Sequence, residues 1–466
     1  MTHYSLRMIE DHRRQLRELL LADEDEAAAL ALCGRSRVHN PWTGEVDERF
    51  VVREVVAVPP EAYHERRPDG FTWSTAPFYS LLKRAESRDL AVAVFHSHPR
   101  GVLEFSMHDD VSDQALFSLA FNRLESRRPH LSVIMDRDGS FVGRVFGPEL
   151  RPEIFSDVVV IGERWDFGAA AADSNTPELD RQRRAFGAET SGQLAKLKIG
   201  IVGLGGTGSA VAALVSRIGV RHLALIDPDR VEDTNLGRLH FATRFDANLR
   251  RLKVDVVGEG IAELGLPTNI VRLPHFDSHP EALAALRACD VVFGCTDDHL
   301  GREVLNRLAH FYYVPVIDLG LLIEPNDQGG YDTFDGRVTV VQPGYPCQTC
   351  RGLIKDEQMF LDSLRRDGEL LVARQRAGYV PNNPDPNPVV VTFTTEVAAM
   401  AVNELFYRLN GFRGPDEHAS ERVRSFRYLK DSDTLPQGKS KPECKICGRR
   451  HYDGRGDMSP LLDLVL

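Results

Sequence analysis

From Leu197 onward the chain alternates short apolar strands with helical stretches, and the first strand runs straight into a glycine-rich turn. Residues 199–202, 222–226, 290–294 and 314–319 are the apolar strands. This alternation predicts a doubly wound, mostly parallel sheet. Gly203-Leu-Gly205-Gly206-Thr-Gly208 follows the first strand and opens a helix. Its glycines allow a tight turn and close approach of a phosphate, while the helix N-terminus supplies amides and the positive end of the dipole. Asp227 ends the next strand, where a carboxylate can take a ribose hydroxyl. This much fits any dinucleotide-binding dehydrogenase.

The surroundings narrow it. Asn235 and Arg238 stand just beyond Asp227, Lys253 follows in a helical stretch, and Asp297 lies beyond the strand that begins at Asp290. An arginine, a lysine and an aspartate around a nucleotide suit a triphosphate and magnesium better than hydride transfer. The set resembles the MoeB/ThiF family, the adenylating domain of ubiquitin-activating enzymes, over roughly residues 179–426, and so implies a Rossmann-like fold. The resemblance implies that Asp227, Asn235, Arg238 and Lys253 hold ATP and that Asp297 holds Mg2+. The spacing from Arg238 to Lys253 is a little longer than in the closest family pattern. The entry segment Arg181-Gln-Arg-Arg-Ala-Phe-Gly187 belongs to the same likeness. In the family an arginine at the place of Arg181 reaches the neighbouring subunit's ATP site, which implies a homodimer.

A second motif lies upstream. His96-Ser-His98-Pro is followed by Ser106 and Asp109. Two histidines one residue apart at a strand end, and a carboxylate in the first turn of the next helix, can face a common centre. Three ligands with an open fourth position belong to a catalytic zinc rather than a structural one, and to water-driven amide hydrolysis. A lone His-x-His is more often an ordinary solvated loop; Ser106 and Asp109 at their spacing argue for the site. The string resembles the JAMM (JAB/MPN) metallopeptidases, which cut amide and isopeptide bonds after the C-terminal glycine of ubiquitin-like proteins. The likeness implies Ser106 as an oxyanion donor and an upstream glutamate as general base. Glu26, ahead of the apolar run ending in Gly34, fits best, with Glu24 as the alternative. His108 has no place in the pattern.

Four of the seven cysteines form two CxxC pairs, Cys347/Cys350 and Cys444/Cys447. Four thiolates suit a closed, structural zinc site, as the MoeB/ThiF family carries, although a CxxC can also be a redox pair. Cys33, Cys289 and Cys295 sit in or beside apolar runs and read as small core residues. No cysteine occurs between Arg351 and Glu443. That departs from full ubiquitin-activating enzymes: the chain stops at the acyl-adenylate or a partner supplies the thiol.

The 466 residues, 42% hydrophobic and 27% charged, suit a globular protein of two to three domains. A net charge of −11 argues against a nucleic-acid surface and a polybasic membrane anchor. The polar N-terminus and the absence of a long apolar run point to a cytoplasmic protein. Residues 1–167 read as an α+β peptidase domain, 168–180 as a linker and 181–466 as the α/β adenylation domain. Within the first, residues 5–32 carry leucines at helical spacing, 50–58 and 89–95 read as strands, and 109–125 as a helix with Val111, Ala115, Leu116 and Leu119 on its apolar stripe. Residues 131–135 and 141–146 read as a hairpin around Asp138-Gly139. In the second, 381–388 is a proline-rich connection before a helix over 395–409. The two likenesses share one substrate, a ubiquitin-like protein ending in glycine, freed by one domain and adenylated by the other. The alternative is the same pair of steps in sulfur-carrier thiocarboxylate formation. A separate conjugating enzyme would mark the first reading, a sulfurtransferase partner the second. A dehydrogenase and a scaffold with dead sites are the remaining readings.

Overall fold

The computed structural model describes residues 2–124, 127–168, 177–366, 388–414, 418–448, 450–458 and 461. The first half runs β1 (Thr2–Ile9), α1 (Glu10–Leu20), β2 (Ala28–His39), β3 (Val46–Ala57), β4 (Tyr63–Arg67), β5 (Gly70–Trp73), α2 (Ala76–Glu86), β6 (Ala91–His98), α3 (Met107–Arg123), β7 (His130–Asp136), β8 (Phe141–Phe146), β9 (Pro152–Phe155), β10 (Val158–Ile161) and β11 (Trp165–Asp166). Nine of these strands form one sheet, ordered β11-β10-β1-β3-β2-β6-β7-β8-β9; β4 and β5 make a separate hairpin.

The helical reading of residues 5–32 is corrected to strand, helix and strand. Leu16 and Leu20 do bury from α1. Residues on either side pair instead: β1 lies parallel to β3 and β10, and β2 is buried between β3 and β6. A short apolar run suits a buried helix or a buried strand, and sheet neighbours on both sides decide it. The hairpin at Asp138-Gly139 forms, with β7 and β8 antiparallel and Gly139 at φ +85°. Helix α3 forms too, but turned: its buried residues are Asp113, Phe117 and Ala120, and Val111 of the expected stripe is exposed. Buried Arg144 on β8 donates to Asp113 at 2.8 Å and holds that face inward.

The second half runs α4 (Asp180–Lys196), β12 (Lys198–Val202), α5 (Gly206–Arg217), β13 (His222–Ile226), α6 (Arg244–Asn248), α7 (Lys253–Ala262), β14 (Asn269–Leu273), α8 (Pro280–Ala288), β15 (Val291–Gly294), α9 (His299–Tyr312), β16 (Val316–Pro325), β17 (Tyr331–Val341), α10 (Asp356–Arg366), α11 (Val391–Asn410), β18 (Glu421–Ser425) and β19 (Asp433–Thr434). The sheet order is β14-β13-β12-β15-β16-β17-β18-β19. Its first five strands are parallel, as the alternation predicts. The sequence reading missed β14, which is half-exposed, and the antiparallel extension β17 to β19. Residues 169–176 of the expected linker and 381–387 of the proline-rich connection lie outside the described residues.

More than a linker joins the halves. Ile9, Val51, Val159, Ile161, Trp165 and Phe167 belong to the same core as Leu197, Ile199 and Val211. Arg7 on β1 donates to Tyr313 O at 3.1 Å and pairs with Asp290 at 2.7 Å. Arg49 on β3 donates to Arg287 O at 2.6 Å and Cys289 O at 2.8 Å. Residues 450–458, shortly after the second CxxC, return to the first sheet. Gly454 N and Gly456 N donate to His310 O and Phe311 O at 2.9 Å each, while Asp457 N donates to Arg35 O at 2.6 Å. Gly34 accommodates this strap, since a Cβ there would stand 2.1 Å from Gly454 O. Residues 450–458, within the unit expected over 181–466, therefore also bind the other sheet. No helix among the described residues is long and apolar enough to cross a membrane.

Candidate functional site

Strand alternation sends His96 and His98 to one face at the end of β6. Asp109 comes from the first turn of α3, where Ser106 is the N-cap. His96 Nε2 lies 3.2 Å from Asp109 Oδ1, and His98 Nε2 lies 3.6 Å from Asp109 Oδ2. One donor atom from each of the three residues falls within 4.8 Å of the others, so the set could hold a metal ion. Buried His96 Nε2 has no hydrogen-bond partner, which fits a nitrogen reserved for a cation. His98 Nδ1 faces Val102 O at 3.2 Å; donating there leaves the Nε2 lone pair free, the usual arrangement of a metal-binding imidazole.

Glu26 stands two residues before β2, beside β6. Ser97 N donates to Ala27 O, and Ala27 N to Ser97 Oγ, each at 3.0 Å. The β4–β5 hairpin holds Glu26 from the other side, with Glu26 N donating to Arg67 O at 2.9 Å and Arg66 Nε to Glu26 O at 3.0 Å. Glu26 Oε1 thereby stands 4.0 Å from His98 Nε2. Glu24 is exposed and ion-paired with Arg100. Burial pushes the Glu26 carboxyl above its ordinary value, against the pull of His98 and His96. Burial would raise Asp109 as well, but the two imidazoles and the Ser106 hydroxyl hold it far below the carboxylate range. Such a pair suits a basic carboxylate beside a permanently ionised ligand.

Ser106 Oγ accepts from Asp109 N at 3.2 Å and donates to Asp109 Oδ2 at 2.7 Å. Its single proton is thus directed at the ligand carboxylate, not at an oxyanion position. Arg144 went unseen in the sequence. Its side chain is 4% exposed; it pairs with Asp110 and Asp113 of α3, and its guanidinium carbon lies 3.9 Å from the centre of the Phe105 ring. Phe105 in turn packs on His96 at 6.2 Å between ring centres. No local motif announces an arginine that meets its helix through the sheet. His108 is exposed.

At the glycine turn, Gly203 takes φ +85°, and a Cβ there would stand 2.8 Å from Cys295 O. A Cβ at Gly208 would meet Gly203 O at 1.8 Å, and one at Gly206 would meet Thr394 at 3.1 Å. Gly205 faces open space. The turn is therefore tight within the protein and open where a phosphate would come. Buried Asp227 accepts from Leu204 N at 2.6 Å and from Asp229 N at 2.8 Å, tying the turn to its own loop. Each carboxylate oxygen keeps a lone pair for a hydroxyl. Burial raises this carboxyl above its ordinary value, against Lys253. Lys253 Nζ is 2.7 Å from Asp229 and 3.8 Å from Asp227, so its ammonium is already engaged. Asn235 is buried, its Oδ1 accepting from Glu232 N at 3.1 Å. Arg238 is half-buried, and Asp297 is exposed at the end of the β15 loop; neither has a side-chain hydrogen bond or ion pair among the described residues.

Arg181 does not join this cluster. It is exposed on the first turn of α4. Its neighbour Gln182 donates to Ile218 O at 3.0 Å, and Leu179 packs on Gly219, both at the C-terminal end of α5. The glycine turn is at the other end of that 12-residue helix, roughly 18 Å away.

Cys347, Cys350, Cys444 and Cys447 converge as a second set that could hold a metal. Cys347 and Cys444 sulfurs are 3.6 Å apart, and Cys350 and Cys447 sulfurs 3.5 Å. The sulfur edges of a tetrahedral zinc–thiolate site are close to this, at roughly 3.8 Å. Cys33 and Cys289 are buried and Cys295 half-buried, and burial pushes all three thiols up. None has the depressed pKa of a nucleophile.

The ThiF family model matches residues 179–446, and the model of prokaryotic homologs of the JAB domain matches residues 9–138. The chain is 28% identical over 186 residues to the molybdopterin-synthase adenylyltransferase of Escherichia coli, covering 39% of this chain and 70% of that protein. It is 32% identical over 135 residues to the adenylyltransferase and sulfurtransferase UBA4 of Meyerozyma guilliermondii, spanning 28% of this chain and only 31% of that protein. It is 24% identical over 178 residues to the SAMP-activating enzyme E1 of Haloferax volcanii, covering 37% and 62%. A JAB domain thus precedes a Rossmann-like α/β domain, and the chain, matched by the second model over more than half its length, belongs to the ThiF family.

Proposed function

We propose that this protein processes and activates a ubiquitin-like polypeptide: it hydrolyses the amide or isopeptide bond after the polypeptide's C-terminal glycine, and it adenylates the carboxylate so exposed. The observation that carries the reading is the placement of Glu26 beside a three-ligand metal set, in one chain with a nucleotide turn whose Asp297 has no ion-pair partner among the described residues. His96, His98 and Asp109 would hold zinc, which when bound polarises a carbonyl and brings a water's pKa near 7. Glu26 takes a proton from the attacking water and returns it to the leaving amine; its raised pKa suits both roles. Ser106 orients Asp109 and must turn its hydroxyl to serve an oxyanion.

In the second domain, Asp227 and Asn235 bind the nucleoside and the amides after Gly205 the phosphates. Arg238 balances phosphate charge and Asp297 would hold magnesium. The substrate carboxylate attacks the α-phosphorus of ATP, and pyrophosphate leaves with the electron pair of the broken P–O bond. Lys253 reaches phosphate only by giving up Asp229. The test is ATP–pyrophosphate exchange with candidate glycine-ended proteins. Asp297→Ala is expected to lower exchange by at least 100-fold in a folded protein; normal exchange by that variant would remove Asp297 as the magnesium ligand.

One observation bears on what takes up the acyl group, in conjugation or in the alternative of thiocarboxylate formation. The three cysteines outside the cluster are buried or half-buried with raised thiol pKa, so the acyl group leaves on a partner's thiol or on sulfur. Adding a conjugating enzyme or a sulfurtransferase to the adenylate separates the two.

Arg181 cannot serve the turn of its own subunit, which supports action in a homodimer partner. Mixed Arg181→Ala and Asp297→Ala subunits are expected to recover about a quarter of wild-type exchange, because half the subunits pair as heterodimers with one intact site each. No recovery despite verified subunit exchange removes the trans arginine.

A further inference from the structure

Arg366 on α10 reaches back to the loop that carries Asp297. Its Nη1 donates to Ser278 Oγ at 2.7 Å and its Nη2 to Asp277 Oδ1 at 3.0 Å. Nη2 also pairs with Asp298, the N-cap of α9. The guanidinium carbon stands 4.6 Å from the centre of the Phe276 ring. Helix α10 is tied to the same loop a second time, through His299 N donating to Asp362 Oδ2 at 2.8 Å. Gly301 leaves room for the cluster, since a Cβ there would meet Asp277 Oδ2 at 2.9 Å and Arg366 Nη2 at 3.4 Å.

This is an expensive arrangement for stability alone. The Asp277 side chain is 2% exposed and that of Arg366 12%. Asp277 Oδ2 and Arg366 Nε are buried without hydrogen-bond partners among the described residues. Two carboxylates, Asp277 and Asp298, share this one guanidinium, and Asp297 directly precedes Asp298 in the chain. Further bonds fix the loop around Asp297: Cys295 N donates to Val202 O at 2.8 Å, Asp298 N to Thr296 Oγ1 at 3.1 Å, and Leu300 N to Asp298 Oδ1 at 2.9 Å.

We propose that Arg366 is a positioning residue for the divalent cation of the nucleotide site: by gripping Asp298 and Asp277 it sets the backbone from which Asp297 presents its carboxylate. This rests on Asp297 being the magnesium ligand. Partners behind a metal ligand typically change metal affinity by 10- to 100-fold.

The experiment measures ATP binding by the full chain as magnesium is titrated, and ATP binding with no divalent ion. Arg366→Gln is expected to raise the half-saturating magnesium roughly 10- to 100-fold, while metal-free ATP binding stays within about twofold. Arg366→Lys should recover part of the loss, since an ammonium can still bridge two carboxylates. Asp362→Ala, which cuts the second tie of α10 to this loop and leaves the Arg366 grip in place, should leave the magnesium requirement near wild type. An unchanged requirement in Arg366→Gln overturns the proposal, as does an equal rise in Asp362→Ala or a parallel fall in metal-free ATP binding. If Arg366→Gln does not fold, Arg366→Lys and Asp277→Asn decide by the same criteria. A wild-type chain that binds ATP equally with and without magnesium instead defeats the reading of Asp297 on which the proposal stands.

Discussion

Glu26→Gln is expected to keep the amino-terminal metal and to slow cleavage after a ubiquitin-like C-terminus by roughly 10²- to 10⁴-fold, the usual worth of a general base. The substitution keeps size and hydrogen bonding but removes the basic oxygen. Backbone bonds to Arg67 O and from Arg66 hold residue 26 whatever its side chain, so the fold should not change. Asp109→Ala is expected to differ: it removes one of three ligands, and both bound zinc and cleavage should be lost. Metal analysis beside a cleavage assay on candidate ubiquitin-like fusions separates the two. Near-normal cleavage by the Glu26 variant would move the base elsewhere, and Glu24, exposed and paired with Arg100, is poorly placed to replace it.

Asp290→Ala should be the most damaging substitution away from either site. Arg7 and Arg49, with side chains 2% and 5% exposed, converge on Asp290 at 2.7 and 3.8 Å. Asp290 also accepts from Lys198 N at 3.0 Å. Burial would raise its carboxyl, but Arg7 and Arg49 keep it below its ordinary value. Removing it leaves two buried guanidinium groups facing each other with Asp47 as the remaining acid nearby. Breaking one side of a buried ion pair typically costs about 3–5 kcal/mol. Pulse proteolysis in urea is the suitable measurement, because a two-domain chain need not unfold in one step. Both halves should become protease-sensitive together, since Asp290 is the last residue before β15 and its partners are on β1 and β3. A loss below about 1 kcal/mol would mean that the halves are held by the shared apolar core and the strap alone.

The two expectations differ in how far the sequence could see. His96, His98, Ser106 and Asp109 fall within fourteen residues of one another, so a strand end followed by a capped helix nearly places them. The glycine turn and Asp227 were legible for the same reason: a strand, a turn and a helix N-terminus are local objects with fixed geometry. The pairing of the two CxxC motifs across a long stretch was legible only because four thiolates are a complete ligand set.

What tertiary structure decided is everything that depends on which strand lies beside which. Residues 28–32 are apolar enough for a buried helix or strand, and only β3 and β6 on either side settle that they pair. Which of Glu26 and Glu24 stands beside His98 depended on the β4–β5 hairpin and on Ser97, far from both glutamates in sequence. Arg144, Arg366 and Asp290 have no local signature, because a buried charge is recognised by its partners and theirs come from other elements. The expectation of two modules on a linker met the same limit. A linker is visible as a loss of periodicity, whereas the strap from Arg450 to Met458 binds through backbone groups, close glycine contacts and the side-chain pairs Asp453–His310 and Asp457–Arg287, whose partners only the fold brings together.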